Sequence, residues 1–345
     1  MRVWLWSIAV LTLLVLVVGG TTRLTRSGLS IVEWRPVTGV VPPLNEARWH
    51  EAFERYRQFP EYQRLRQGMT LPEFKFIFFW EYVHRVLARL VGVVFLIPFV
   101  VFWLRGAFTP VLLRRTLLLF GMGAAQGVMG WLMVKSGLVD RPSVSHYRLA
   151  AHLILAFAIF GYAIWLARGV PAAKPRVAVT VAMPPGARRL MWRGLMLIGA
   201  LLAAQIVWGA FVAGLKAGHA FNTFPLMAGG LIPPDLWSLH AGPLSLNHPA
   251  AVQWMHRVLG TLLLVVTGAV FLRVRRHVVD PLSRRLNAGL LLLIATQYAL
   301  GVLTLLYAVP VGLGVAHQAT AMLTFGVWVV WSQHVLRPEQ RDRRE

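Results

Sequence analysis

Eight apolar runs, most of them about twenty residues or longer, leave this chain few ways to fold. In hydrocarbon every backbone N–H and C=O must be satisfied within the chain, so only helices or closed barrels cross a membrane. About 20 apolar residues make one helical crossing. The runs lie at roughly 3–20, 76–104, 111–134, 149–168, 190–214, 252–272, 286–306 and 315–336. They imply an all-α integral membrane protein with eight transmembrane helices. Only 14% of the residues are charged and the mean hydropathy is +0.60, against about 25% charged in soluble domains. The first run follows a single Arg2, lacks a small-residue cleavage site and continues into Thr21-Thr22-Arg23. It reads as a retained helix rather than a signal peptide. No Arg/Ser-rich transit segment precedes it, which favours a bacterial plasma membrane.

Charge sets the expected direction. Connections after even-numbered spans are basic: Arg105, Arg114 and Arg115; then Arg168, Lys174, Arg176, Arg188, Arg189 and Arg193 without an acid; then Arg273, Arg275, Arg276, Arg284 and Arg285. The tail adds Arg337, Arg341, Arg343 and Arg344. The opposite loops are poorer in cations, so both termini are expected in the cytoplasm. This segregation also accounts for the net charge of +22 without nucleic acid. The long outer loop 21–75 is the exception. In it Asn45 is placed to cap an amphipathic helix through Phe59, and Thr70-Leu71-Pro72-Glu73 reads as a capping box opening the second span.

The chain also repeats itself. Glu81-Tyr82-Val83-His84-Arg85-Val86-Leu87 is answered by Gln253-Trp254-Met255-His256-Arg257-Val258-Leu259. Gly19 and Gly28 match Gly209 and Gly218; Gln126-x-x-x-Gly130 matches Gln297-x-x-x-Gly301; Ala151-His152 matches Ala316-His317. His84 to Gln126 is 42 residues and His256 to Gln297 is 41. Four helices were therefore duplicated, giving two four-helix bundles related by a pseudo-twofold axis along the membrane normal. The halves are read as 1–170 and 190–345, joined by a Pro/Ala-rich cytoplasmic linker at 171–189.

His84, His152, His256 and His317 all lie where the chain enters an even-numbered span from outside, so all four belong toward the outer leaflet. Ionisable groups inside a membrane are costly and point to function. Each half offers two imidazoles on different helices at similar depth, the arrangement of a bis-histidine haem. Cysteine is absent, which excludes disulfides, thiolate metal sites and iron–sulfur clusters. Gln126 and Gln297 read either as interhelical hydrogen-bond partners or as haem-pocket residues. Arg23, Arg85 and Arg257 read either as snorkelling to the interface or as partners of haem propionates. Glycines 92, 121, 123, 127, 130, 260, 268 and 301 allow a flat macrocycle or a close helix. His219, His240 and His248 fit no standard metal spacing, and His50, His146, His277 and His334 look peripheral.

Taken together these residues resemble the haem A synthase family over essentially the whole chain. The resemblance is carried by Gly19-Gly20-x-x-Arg23-Leu24-Thr25-x-Ser27-Gly28-Leu29-Ser30, by Glu81-x-x-His84-Arg85, by Val212-Ala213-Gly214-Leu215-Lys216-Ala217-Gly218 and by His256 and His317. The first loop, with Trp34-Arg35-Pro36-Val37-Thr38-Gly39 and Pro42-Pro43-Leu44, is similar to the branch shared by proteobacteria and mitochondria. The resemblance implies oxidation of the C8 methyl of haem O to a formyl group by two successive hydroxylations and loss of water, serving cytochrome c oxidase biogenesis. It also implies a haem b cofactor on His256 and His317, haem O on His84 and His152, and a catalytic role for Glu81. Haem O synthase and an electron acceptor are the implied protein partners, and a homo-oligomer stays open. Lacking cysteine, the chain departs from the branch that has a cysteine pair in an outer loop.

Glu81 precedes His84 by three residues and shares its helix face. Its carboxylate could take a proton from the methyl or stabilise positive charge on that carbon, whereas Gln253 cannot titrate. An ion pair of Glu81 with Arg85, four residues on, is the structural alternative. The expected electron path runs from the substrate haem through the second haem to an acceptor. A di-haem b-type electron-transfer protein and a haem transporter remain rival readings. The carrier would hold haem b alone, and the transporter leaves the Glu81/Gln253 difference unexplained.

Overall fold

The computed structural model describes residues 1–33, 39–137, 144–170, 185–234, 236–238 and 242–336. His240, most of the 171–189 linker, Trp34 to Thr38 and the arginines of the tail lie outside the described residues. Ten α-helices are present among the described residues: α1 (Arg2–Leu24), α2 (Glu46–Arg57), α3 (Pro60–Leu65), α4 (Leu71–Leu104), α5 (Pro110–Gly137), α6 (His146–Gly169), α7 (Pro185–Gly214), α8 (Pro249–His277), α9 (Pro281–Leu306) and α10 (Val311–Leu336). Eight of them, all but α2 and α3, are long and apolar enough to cross a membrane, and the protein is a multi-pass membrane protein. Most spans begin several residues before their apolar runs because polar caps and prolines start them. Thr70 and Glu73 form the capping box of α4, and Asp280 accepts from the Ser283 N–H at 2.8 Å ahead of Pro281. Asn45 caps α2 as expected, but α2 stops at Arg57 because Phe59-Pro60 starts α3.

The helix contacts pair up between the halves. α1 packs on α4 and α6 as α7 packs on α8 and α10, and α5 packs on α6 as α9 packs on α10. Between halves α1 meets α10 and α6 meets α7, the two contacts that a twofold exchange interconverts. The backbone repeats as well: Arg26 (φ 53°) and Lys216 (φ 54°) take the left-handed conformation at matched turns. Both turns are followed by a buried small residue, Ser27 and Ala217.

One matched contact is missing. α8 packs along α9, whereas α4 and α5 do not pack along their length. Their aromatic rings meet only near one end, where Phe95 stacks on Phe120 with centroids 5.5 Å apart. α4 and α5 are accordingly the least buried of the eight spans. A Cβ built on Gly92, Gly121, Gly123 or Gly127 would meet nothing within 4 Å. α4 is instead held from the α1 side. Pro98 cannot donate to the Val94 carbonyl, and the Trp4 indole N–H supplies the bond at 2.9 Å.

The 34 residues of α4 span about 50 Å, longer than the ~30 Å hydrocarbon layer. Its first turns carry the 21–70 loop. Trp49, Phe53 and Tyr56 from α2 pack with Phe74, Ile77 and Phe78 of α4 in a separate apolar cluster.

Candidate functional site

The two histidines of the C-terminal half meet ring to ring, whereas His84 and His152 make no ring contact with each other among the described residues. In the C-terminal half the His256 and His317 rings lie with centroids 6.5 Å apart and planes at 76°. Two metal–nitrogen bonds of about 2 Å, with about 1 Å from each nitrogen to its ring centre, put two ligating imidazoles roughly 6 Å apart. The pair therefore fits an iron between its rings. The buried Nδ1 atoms of the four histidines make no hydrogen bond of good geometry, while the backbone carbonyls of Val15, Gln205 and Gln297 lie within reach of the His84, His256 and His317 rings.

Every histidine is faced by a glycine. A Cβ on Gly19 would lie 2.7 Å from His84 Cε1, and one on Gly209 would lie 3.1 Å from His256 Cε1. A Cβ on Gly130 would lie 3.7 Å from His152 Cε1, and one on Gly301 would lie 2.9 Å from His317 Cε1. These are the glycines of the sequence repeat, and close approach of an imidazole explains them.

The glutamines answer their histidines too. Gln126 Nε2 lies 3.4 Å from His152 Nε2 and donates to its carbonyl at 3.1 Å. Gln297 Nε2 lies 3.2 Å from His317 Nε2. A third glutamine, missed by the sequence reading, joins the C-terminal pocket: Gln205 Nε2 is 3.3 Å from His256 Nε2. By the Gly19/Gly209 register its counterpart in α1 is Val15, so the repeat itself gave no signal. A lone amide in an apolar span was the available clue.

Glu81 is buried at 2% exposure and turned toward the loop after α1. Its Oε2 accepts from the Ser30 hydroxyl at 2.7 Å and from the Ile31 N–H at 2.8 Å. Its Oε1 pairs with Arg85 at 2.6 Å. Arg85 also donates to the Ile31 and Glu33 carbonyls. Gln253 and Arg257 treat the matching loop alike with opposite polarity. Gln253 donates to the Ala217 and Phe221 carbonyls, and Arg257 donates to Phe221, Pro225, Leu226 and Gln253 oxygens. Both arginines thus secure loops. Arg23, half-buried at the end of α1, has no hydrogen-bond partner among the described residues.

Of the remaining histidines, His219 and His248 are exposed, and no cluster of three or more metal-binding side chains occurs among the described residues. Two that read as peripheral are built into the structure. His334 contacts Asp280 at 2.8 Å across α9 and α10. His146 packs on Tyr147 and Phe211, with its Nε2 buried and unpartnered.

The family model COX15-CtaA, described as cytochrome oxidase assembly protein, matches residues 2–329. The chain belongs to the COX15-CtaA family. Relatives named heme A synthase are similar to it over nearly their whole length. The one from Rhodospirillum centenum is 45% identical over 99% of this chain and 90% of its own. That from Nitrosospira multiformis is 44% identical over 97% and 93%, and that from a Bradyrhizobium strain is 46% identical over 94% and 89%. As a COX15-CtaA protein the chain is covered by the match across all eight spans, with α10 included to within its last turns.

Proposed function

We propose that the chain is a haem A synthase that oxidises the C8 methyl of haem O to a formyl group. Haem O occupies the N-terminal half on His84 and His152, and a haem b resides in the C-terminal half on His256 and His317. The separation of α4 from α5 carries this assignment. Haem O bears a farnesyl tail and resides in lipid, so the half that is open sideways suits a substrate that enters and leaves. The other half, closed by α8 on α9, suits a group that stays. The basic ends of the helices face the cytoplasm, and the histidines and long loops lie on the outer side.

When bound, haem b supplies one-electron transfer. The protein's own groups do the rest. His84 and His152 fix the substrate macrocycle at the depth of Glu81. The aromatic cluster of α2 and α4 covers this end of the half and keeps bulk water out. The Ser30 hydroxyl, the Ile31 N–H and Arg85 hold the Glu81 carboxylate in one place. There it takes a proton from the reacting carbon's substituent or stabilises positive charge developing on it. Gln253 occupies the equivalent place in the other half and has no proton to exchange.

The test is Glu81→Gln in the full chain, with haem extracted and identified by mass. Glutamine keeps the length and volume of Glu81, and its amide oxygen can still accept from Arg85, so the variant should fold and retain haem. It should accumulate haem O without hydroxymethyl or formyl products. Unchanged haem A formation would refute the role of Glu81, and a wild-type chain that yields only haem b would refute the synthase reading.

A further inference from the structure

A second acid, unused by the mechanism so far, lies outward of Glu81. The buried face of α4 runs Phe74, Ile77, Phe78, Glu81 at helical spacing. Tyr56 of α2 packs on the outer end of that stripe, with its ring 5.3 Å from that of Phe74. Glu61, in the short helix that follows, is 5% exposed. Its Oε2 and the Tyr56 hydroxyl are both buried and interact with each other, with no other hydrogen-bond partner. Carboxylates are almost never fully buried unless paired. Below them on the same stripe, the Ser30 hydroxyl touches both Glu81 Oε2 and the Ile77 carbonyl.

The outward side opens to solvent. Arg66, just after Glu61 in sequence, donates to the Thr25 and Arg26 carbonyls. It lines a cleft of about 400 Å³ together with Thr25, Glu73 and Ile77. The groups that face Glu61 come from every neighbouring element: Tyr56 from α2, Arg66 beyond α3, Arg26 after α1, Glu81 from α4 and Lys216 after α7. Burial outweighs the two arginines and pushes the Glu61 carboxyl up to about 7, with the Glu81 charge raising it further. Burial raises the Tyr56 phenol as well.

We propose that Glu61 is the outer station of a proton exit, taking protons from the Glu81 carboxyl and passing them to water in the Arg66 cleft. In each transfer one proton leaves the Glu81 carboxyl and one binds the Glu61 carboxylate. That same proton is then lost to water, and both acids return to their starting state. Ser30 and Tyr56 supply hydroxyls along the stripe. Glu61 acts through Glu81 and is a positioning residue for the proton, not a catalytic one. The inference rests on the reading of Glu81 as the proton-handling group.

The experiment measures conversion of haem O to haem A from pH 5.5 to 9 in membranes carrying the full chain. The wild-type rate should fall as pH drops through about 7, because a protonated Glu61 accepts nothing. Glu61→Gln should be tenfold slower or more at pH 8, with this limb abolished and bound haem unchanged. Glu61→Asp should recover activity with the limb moved to lower pH. A Glu61→Gln variant with wild-type rate and profile overturns the proposal. Should Glu61→Gln fail to retain haem, a folded Glu61→Asp whose limb does not move overturns it equally. Glu81→Gln separates the two readings: its full activity defeats the Glu81 role itself. Its inactivity beside an unaltered Glu61→Gln defeats only the exit.

Discussion

Replacing each histidine-facing glycine by alanine gives a graded test of the four imidazole sites. Carbon atoms sit comfortably about 3.5–4.0 Å apart. A methyl at Gly19 would lie 2.7 Å from His84, so the ring or the helix must yield by about 0.8 Å. At Gly301 the distance is 2.9 Å and the shift about 0.6 Å; at Gly209 it is 3.1 Å and about 0.4 Å. At Gly130 the methyl would lie 3.7 Å away and nothing need move. Overpacking of this kind costs about 1–3 kcal/mol. Each change also gains about 1 kcal/mol from replacing glycine in a helix. The sum predicts that Gly19→Ala and Gly301→Ala destabilise by about 1–2 kcal/mol, and that Gly209→Ala is close to neutral. Gly130→Ala should stabilise by up to about 1 kcal/mol. The assay is the apparent unfolding temperature in detergent, at roughly 2 °C per kcal/mol for a chain of this size, together with the visible spectrum of bound haem. The spectrum should change most for Gly301→Ala among the two C-terminal variants. Equal effects at all four sites, or a worse outcome at Gly130 than at Gly19, would refute the claim that these glycines exist to admit the rings.

Glu61→Gln should raise stability at high pH while lowering activity. A folded value near 7 against the ordinary 4.5 means that Glu61's contribution to stability is fully present below about pH 4.5 and lost as pH rises through 7. The neutral variant should therefore exceed wild type by up to about 3 kcal/mol at pH 8 and match it at pH 4, read by thermal unfolding at both. Gln205→Val, which copies Val15, removes an amide whose Oε1 is buried and unpartnered. Its stability should change by less than about 1 kcal/mol, while the spectrum of the C-terminal haem shifts. Asp280→Ala loses the Ser283 cap and the His334 contact and should cost about 1–2 kcal/mol, seen as a lower unfolding temperature with haem spectra intact.

The spans, their number and the duplication were legible because lipid demands long apolar runs, and because His84/His256 and Gly130/Gly301 recur at nearly fixed spacing. The partnership of Glu81 with Arg85 was legible from a spacing of four. Its bonds to Ser30 and Ile31 were not, since fifty residues separate them and a loop has no periodicity to read. The opening between α4 and α5 was hidden for a different reason. A leucine facing lipid and a leucine facing a neighbouring helix look alike in hydropathy, and Gly121, Gly123 and Gly127 read as packing glycines. Nothing in the sequence singles out Glu61, because its burial depends on how α2 and α3 fold onto α4.

The gap between α4 and α5 also changes what concentration means for this protein. A substrate arriving through it is dissolved in the bilayer, so occupancy follows its mole fraction among lipids and not its amount per volume of buffer. Diluting vesicles with water should leave the rate per protein unchanged, and fusing them with empty lipid should lower it. Phe95 stacks on Phe120 at one end of the gap; under the proposed lateral entry the other end is the way in, and the two sides of the membrane would then not be equivalent reservoirs.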